Sequence, residues 1–179
     1  MDYSYPEFGP THRDGQKRYL EHFISYANKY HLPAILHIRS GIKEESIPDR
    51  GVVDADEDAI SMFKVNPPEF GAVYHCFCGD VETIKRYCDV GVKYFGIGGK
   101  IFYENELKET VRFMPEDSLV LETDAPYIRI PDMKGPNTSL SLWDIAERIA
   151  LVRGTTTEKI IELTTRNAER LFDTGYGDV

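Results

Sequence analysis

The chain has 179 residues, of which 41% are hydrophobic and 28% charged, a composition typical of one soluble globular domain and unlike that of a disordered chain. Its formal net charge of −9 counts against binding of nucleic acid through a broad basic surface. It contains no apolar stretch long enough to cross a membrane and its first residues do not resemble an export signal, so we expect a single cytoplasmic domain over residues 1–179.

Helix and strand patterns alternate through the first half of the chain. Apolar residues at helical spacing predict a helix over residues 14–30, which Pro33 interrupts. A short apolar run over residues 34–38 predicts the first strand. A short helix over residues 54–63 and a second strand over residues 72–77 follow.

The same alternation continues in the second half. The patterns predict a helix over residues 81–88, a strand over 94–97, a helix over 104–113 and a strand over 119–122. After a loop rich in Pro and Gly, a helix is predicted over residues 140–152, with Trp143 on its buried face. A further helical start near residue 155 leads to a final helical turn or two over residues 167–172.

This order of elements predicts an α/β fold with about four parallel strands and flanking helices. A complete eight-stranded (β/α)8 barrel needs roughly 250 residues, so the chain is long enough for part of such a barrel. The interpretation as a partial TIM-barrel-like fold is preferred here, and a small open parallel sheet is the alternative.

Three side chains of the types that bind metal ions each follow a predicted strand. They are His37, His75 and Asp124. The carboxyl ends of parallel strands meet at one edge of a sheet, where α/β proteins build their sites. Three such ligands with an open position are typical of a catalytic metal centre, and Asp124 is also a candidate general base. Taken alone, each His is better explained as a hydrogen-bonded residue at a strand end, but the three residues together at equivalent strand ends favour the metal site.

Polar residues near the same strand ends are candidates for substrate contacts. Arg39 and Lys100 suit an anionic substrate because Arg and Lys pair well with phosphate oxygens, although loops also carry charge for solubility. Glu122 precedes Asp124 by two residues, so both are expected on one face, with Glu122 in a supporting or substrate-orienting position. The glycines around residues 96–99 do not have the spacing of a phosphate-binding loop and instead indicate a close approach of backbone to the site.

Several segments together resemble the TatD-related deoxyribonucleases. The segments are Leu32-Pro33-Ala34-Ile35-Leu36-His37-Ile38-Arg39, Tyr74-His75-Cys76-Phe77-Cys78-Gly79, Leu121-Glu122-Thr123-Asp124-Ala125-Pro126-Tyr127 and Asn167-Ala168-Glu169-Arg170-Leu171-Phe172. The resemblance implies an α/β barrel that binds divalent ions, Zn, Mg or Mn, and hydrolyses DNA phosphodiester bonds. By resemblance, His37 and His75 hold one ion, and Asp124 holds another while it serves as the base for the attacking water.

The chain also departs from the family pattern. Family members open with a His-x-His pair and a bridging Glu before a Gly-Leu-Asp-Tyr-like segment, which here aligns with Met1-Asp2-Tyr3. The resemblance therefore implies the carboxyl-terminal half of the enzyme, with impaired metal binding. A non-catalytic remnant, or association module, that binds at most one metal weakly is the alternative. An open half-barrel exposes strand edges, so a homodimer or association with a missing amino-terminal half is expected.

Overall fold

The computed structural model of the protein describes residues 1–5, 10–41 and 54–172. The strands in this part of the chain are β1 (Ala34–Leu36), β2 (Ala72–Tyr74), β3 (Tyr94–Ile97) and β4 (Leu119–Leu121). The α-helices are α1 (Pro10–Tyr30), α2 (Ala55–Val65), α3 (Val81–Cys88), α4 (Asn105–Phe113), α5 (Leu142–Arg153) and α6 (Thr157–Phe172).

The four strands form one parallel sheet in the order β1-β2-β3-β4. A helix connects each strand to the next, as parallel pairing requires. The predicted α/β fold with about four parallel strands and flanking helices is therefore confirmed. No helix in the described ranges is long and apolar enough to span a membrane.

The register of the sheet aligns the residues that follow the strands. Leu36 pairs with Tyr74, so the next residues, His37 and His75, leave the sheet side by side. Ile97 pairs with Leu121 in the same way, which places Gly98 beside Glu122. This alignment gathers the candidate site at the carboxyl edge of the sheet.

The predicted helix starts follow from capping side chains. The Asp54 carboxylate accepts hydrogen bonds from the backbone N–H groups of Asp56 and Glu57 at the start of α2, at 2.9 and 3.0 Å. The Asp80 carboxylate accepts from Thr83 at the start of α3, at 2.8 Å. In contrast, the helical start near residue 155 and the predicted final turns belong to one continuous helix, α6.

The two faces of the sheet have different surroundings. The larger hydrophobic core packs the helices against one face, where residues such as Leu36, Phe95 and Leu119 are buried. Side chains alternate along a strand, so Val73 and Val120 point to the other face, where Leu171 of α6 packs on them. His75 and Glu122 lie two residues beyond Val73 and Val120, so they emerge above this smaller cluster.

The core assignment of Trp143 is wrong. Its side chain lies in the first turn of α5 and is 54% exposed. The buried face of α5 is formed by Ile145, Ala146, Ile149 and Ala150 instead. The periodicity indicates an amphipathic helix, but it did not separate the first turn, where Trp143 lies, from the turns that pack on the core.

Candidate active site

His75 is the centre of a contiguous group of polar side chains. Its Nδ1 atom lies 2.6 Å from Oε2 of Glu122, and its Nε2 atom lies 3.3 Å from Oδ1 of Asp124. Glu122 and Asp124 follow β4, two strands away from β2, so the sheet brings together residues nearly fifty positions apart in sequence. All three side chains are partly buried.

The hydrogen-bond pattern leaves room for one cation between His75 and Asp124. A neutral His75 that donates from Nδ1 to Glu122 has a lone pair on Nε2, and that lone pair faces a carboxylate oxygen. Two acceptors at this separation are stable only when a proton or a metal ion lies between them. Because zinc holds N and O donors at about 2.0 to 2.2 Å, neighbouring donors on one tetrahedral ion lie about 3.4 Å apart.

The second oxygen of Glu122 supports the same interpretation. Oε1 is buried and has no hydrogen-bond partner among the described residues, so the carboxylate depends on His75 for its main favourable contact. The hydrogen bond to Glu122 raises the pKa of His75 above its ordinary value, and partial burial opposes this effect only in part. Glu122 therefore both orients the imidazole and increases its basicity.

His37 lies next to this group but is turned toward another carboxylate. Its ring centroid is 5.7 Å from that of His75, and its Nε2 atom lies 3.2 Å from Oδ2 of Asp2. The side chain is about half exposed. The structure thus brings His75, Glu122 and Asp124 together and places His37 at their side.

Asp2 is a site residue that the sequence analysis did not single out. Residues 1–3 run parallel to residues 37–39, with a backbone hydrogen bond of 2.9 Å from Arg39 to the carbonyl of Met1. The amino group of Met1 also donates to the carbonyl of His37. Burial alone would raise the pKa of the Asp2 carboxyl, but hydrogen bonds from Ser4 and His37 lower it below its ordinary value. The sequence signal that could have identified Asp2 is the resemblance of Met1-Asp2-Tyr3 to the Gly-Leu-Asp-Tyr-like segment of the family.

The two predicted phosphate-binding residues line the same small cavity as the histidines. It measures about 210 Å³ and is bordered by His37, Arg39, His75 and Lys100, together with other residues. The Arg39 guanidinium lies 3.6 Å from Asp2, so its charge is partly compensated. Their roles as substrate contacts stay predictions, as does the role of Glu122 toward substrate.

The donor types fit a divalent metal ion, but the ligand set within the described residues is incomplete. No group of three or more His, Cys, Asp or Glu side chains in residues 1–5, 10–41 and 54–172 is arranged to hold an ion. His75 Nε2 and Asp124 Oδ1 are spaced as neighbouring ligands, and His37 would need to turn from Asp2 to join them. The assignment of His37, His75 and Asp124 as ligands stays a prediction.

The close approach predicted at the glycines is made by the Glu122 side chain. A methyl group on Gly96 would lie 2.5 Å from Oε2 of Glu122, which real Cβ atoms do not tolerate. A methyl group on Gly98 would lie 3.3 Å from Oε1, a tight contact that a small shift can relieve. The absence of a side chain at residue 96 therefore creates the space that Glu122 occupies under His75.

We expect Gly96→Ala to displace Glu122 and to lower the metal affinity and hydrolytic activity that the family resemblance implies by about 10- to 100-fold, the usual effect of losing a supporting carboxylate. Gly98→Ala is the matched control, and a much smaller loss is expected. Metal titration and steady-state kinetics of both variants would measure the difference. Equal activities of the two variants would contradict the role given to this space.

The sequence matches one protein-family model, described as TatD related DNase, over residues 1–173. A Bacillus subtilis protein named as an uncharacterized metal-dependent hydrolase, YabD, is 33% identical over 164 residues, which are 89% of this chain and 58% of that protein. The Salmonella typhimurium protein named 3'-5' ssDNA/RNA exonuclease TatD is 38% identical over 111 residues, which are 58% of this chain and 42% of that protein.

A crystal structure of YJJV, a TatD homologue from Escherichia coli, has the same fold with a TM-score of 0.78 and 23% identity, and it covers 97% of this chain and 61% of that one. The chain spans about 60% of the length of YabD and of the Escherichia coli relative YcfH. That it is only the carboxyl-terminal half of a longer enzyme stays a prediction. On the family match over residues 1–173, the chain belongs to the family of TatD-related DNases.

Proposed function

We propose that the protein is a metal-dependent hydrolase that cleaves phosphodiester bonds of nucleic acid. The observation that carries the proposal is the meeting of His75 Nε2 and Asp124 Oδ1 at 3.3 Å, with Glu122 bound to the other side of the imidazole at 2.6 Å. A carboxylate, an imidazole and a cation-binding position are the usual components of metal-assisted hydrolysis.

Each residue has a distinct role in this proposal. His75 would hold the ion through Nε2 while Glu122 fixes its ring, and His37 would be a further ligand. A divalent ion supplies Lewis acidity, which lowers the pKa of water and polarises a phosphoryl oxygen. Asp124 would accept the proton of the attacking water, because its second oxygen is not the one that faces His75.

The cations at the cavity suit the phosphate group of the substrate. Arg39 and Lys100 border the cavity together with both histidines, so they can contact the non-bridging oxygens of a phosphodiester. The name of the Salmonella relative refers to single-stranded DNA and RNA, which supports nucleic acid as the substrate class here. A net charge of −9 agrees with local rather than broad contact to the substrate.

The proposal is tested by hydrolysis of a single-stranded oligonucleotide and of bis(p-nitrophenyl) phosphate with added Mn²⁺, Mg²⁺ or Zn²⁺. We expect activity that EDTA abolishes and that His37→Ala lowers by about 10- to 100-fold. Metal-stimulated activity that His37→Ala leaves unchanged would refute the site. Activity that resists EDTA would refute the metal dependence.

A second candidate function is that of an association module without turnover. It is favoured by the finding that the described residues contain no group of three side chains arranged to hold an ion. In that case the family site persists as a weak metal-binding position. Absence of hydrolysis with every added metal ion, in a folded protein, would favour this candidate over the enzyme.

We also propose that the β1 edge is an association surface, through which the chain forms a homodimer or binds an amino-terminal half. Ile35 of β1 is 68% exposed and borders a groove of about 300 Å³ with Tyr19 and Phe23 of α1. An exposed edge strand next to exposed aromatic side chains is an unfavourable surface for a monomer.

Light scattering of the purified chain would measure this association. We expect a mass of about twice 20.5 kDa and its reduction to the monomer value by Ile35→Lys. Leu140→Lys, at an exposed residue far along the chain, is the control and should not dissociate the dimer. A stable monomer that binds no added amino-terminal segment would contradict the proposal.

A further inference from the structure

We propose that Tyr103 and Tyr127, with Arg129, form a base-stacking surface for single-stranded nucleic acid beside the candidate active site. This inference rests on the proposed function and names the form of its substrate. Both tyrosines follow strands that carry the site: Tyr103 lies after β3, and Tyr127 lies three residues beyond Asp124. Their side chains are 58% and 70% exposed, so their rings are available for contact.

The connection of Tyr127 to the site is direct. Its backbone N–H donates to the carbonyl of Asp124 at 2.8 Å, so a single turn joins the candidate base to the exposed ring. A nucleic-acid strand whose phosphate reaches Asp124 would place a neighbouring base near the ring of Tyr127. The turn therefore determines where that base can lie.

The two tyrosines belong to one continuous surface. The hydroxyl of Tyr103 donates to the carbonyl of Arg129 at 2.7 Å, which fixes its ring against the loop that carries Tyr127. The backbones also approach closely, since a methyl group on Gly99 would lie 2.7 Å from the carbonyl oxygen of Ile128. The loops after β3 and β4 thus lie against each other, and each of them carries one exposed tyrosine.

Buried Asn137 holds this loop in one conformation. Its side-chain amide donates to the carbonyls of Thr123 and Ile128, at 2.7 and 2.9 Å, and its backbone N–H donates to Pro126. These bonds span the segment that contains Asp124 and Tyr127. An ordered loop loses little conformational entropy when a ligand binds, so the exposed rings are preorganised for contact.

The charge of the loop indicates nucleic acid rather than an apolar partner. Between Asp124 and Asn137 the loop carries the exposed residues Arg129, Asp132 and Lys134, so its net charge is +1. Lys100 borders the cavity. In a chain of net charge −9, cations that flank exposed aromatic rings suit a ligand with both phosphates and flat bases. Bases in a duplex stack on one another and cannot reach the rings, so a single strand is the expected occupant.

The test measures binding of a fluorescein-labelled oligothymidylate by fluorescence anisotropy, in the presence of EDTA so that no hydrolysis occurs. We expect Tyr127→Ala to weaken binding by about 10-fold and Tyr127→Phe to retain it, because stacking uses the ring and not the hydroxyl. Tyr30→Ala is the matched control, since Tyr30 is 59% exposed at the end of α1 and should not affect binding. A duplex of the same length should bind more weakly than the single strand.

The outcomes separate this inference from the proposed function. Wild-type protein that does not bind the single strand, or Tyr127→Ala that binds as wild type, would overturn the stacking surface. So would a duplex that binds as tightly as the single strand. Hydrolysis of bis(p-nitrophenyl) phosphate, which contains no base to stack in this way, tests the catalytic site independently. Binding of the single strand without hydrolysis of either the oligonucleotide or bis(p-nitrophenyl) phosphate, with added metal ions, would refute the enzyme and leave the stacking surface intact.

Discussion

Asp124→Asn is expected to lower kcat for the proposed phosphodiester hydrolysis by about 10²- to 10⁴-fold, the range for loss of a general base. The amide cannot accept the proton of the attacking water, and it binds a divalent ion less strongly than a carboxylate does. The backbone should not change, because Asp124 has φ of 54° and Asn tolerates this left-handed conformation well.

A matched control for this variant lies in the same loop. Asp132 also has a positive φ, of 61°, and it is exposed. We expect Asp132→Asn to keep wild-type kcat, and both variants to unfold at the wild-type temperature. If Asp124→Asn turned over substrate at the wild-type rate, Asp124 would not be the base.

Replacing His75 has the second large expected effect. His75→Ala removes one proposed ligand and leaves the buried Glu122 carboxylate without its hydrogen-bonded partner, so we expect metal affinity to fall by more than about 100-fold. Glu122→Gln keeps the ligand and weakens only its support, so a smaller loss of about 10- to 100-fold is expected. His22→Ala, at an exposed residue of α1, is the control and should bind metal as wild type does.

The sequence predicted the order of the elements well because each has a local signal. Short apolar runs marked β1 to β4, and the capping carboxylates Asp54 and Asp80 marked two helix starts. Strand ends were less accurate. The predicted strand over residues 72–77 ends at Tyr74, because the chain turns at Cys76, which has φ of 54°. Apolar residues continue past the last hydrogen bond between neighbouring strands, so the apolar pattern does not mark the end of a strand.

The contacts of the site were predicted only where the register of the sheet determines them. His75 and Glu122 were expected at one edge, and the parallel register places them there. The contact of His37 with Asp2 was not expected, because it depends on a pairing between the first residues and Arg39. Such pairing between distant short segments leaves no periodic signal in the sequence.

Exposure was predicted less well than helix position. Among the apolar residues whose helical spacing predicts the first helix, Tyr19 and Phe23 are exposed, whereas Ile24 is buried. The sequence shows that α1 has an apolar face, but which part of that face is covered depends on what packs next to β1.

The most direct measurement is a calorimetric titration of Mn²⁺ into the wild-type protein and into His75→Ala. Convergence of His75 and Asp124 on one cation predicts saturable binding by the wild type, weakened more than about 100-fold in the variant. Equal binding of Mn²⁺ by both proteins, or no binding by the wild type, would contradict the convergence of His75 and Asp124 on one cation.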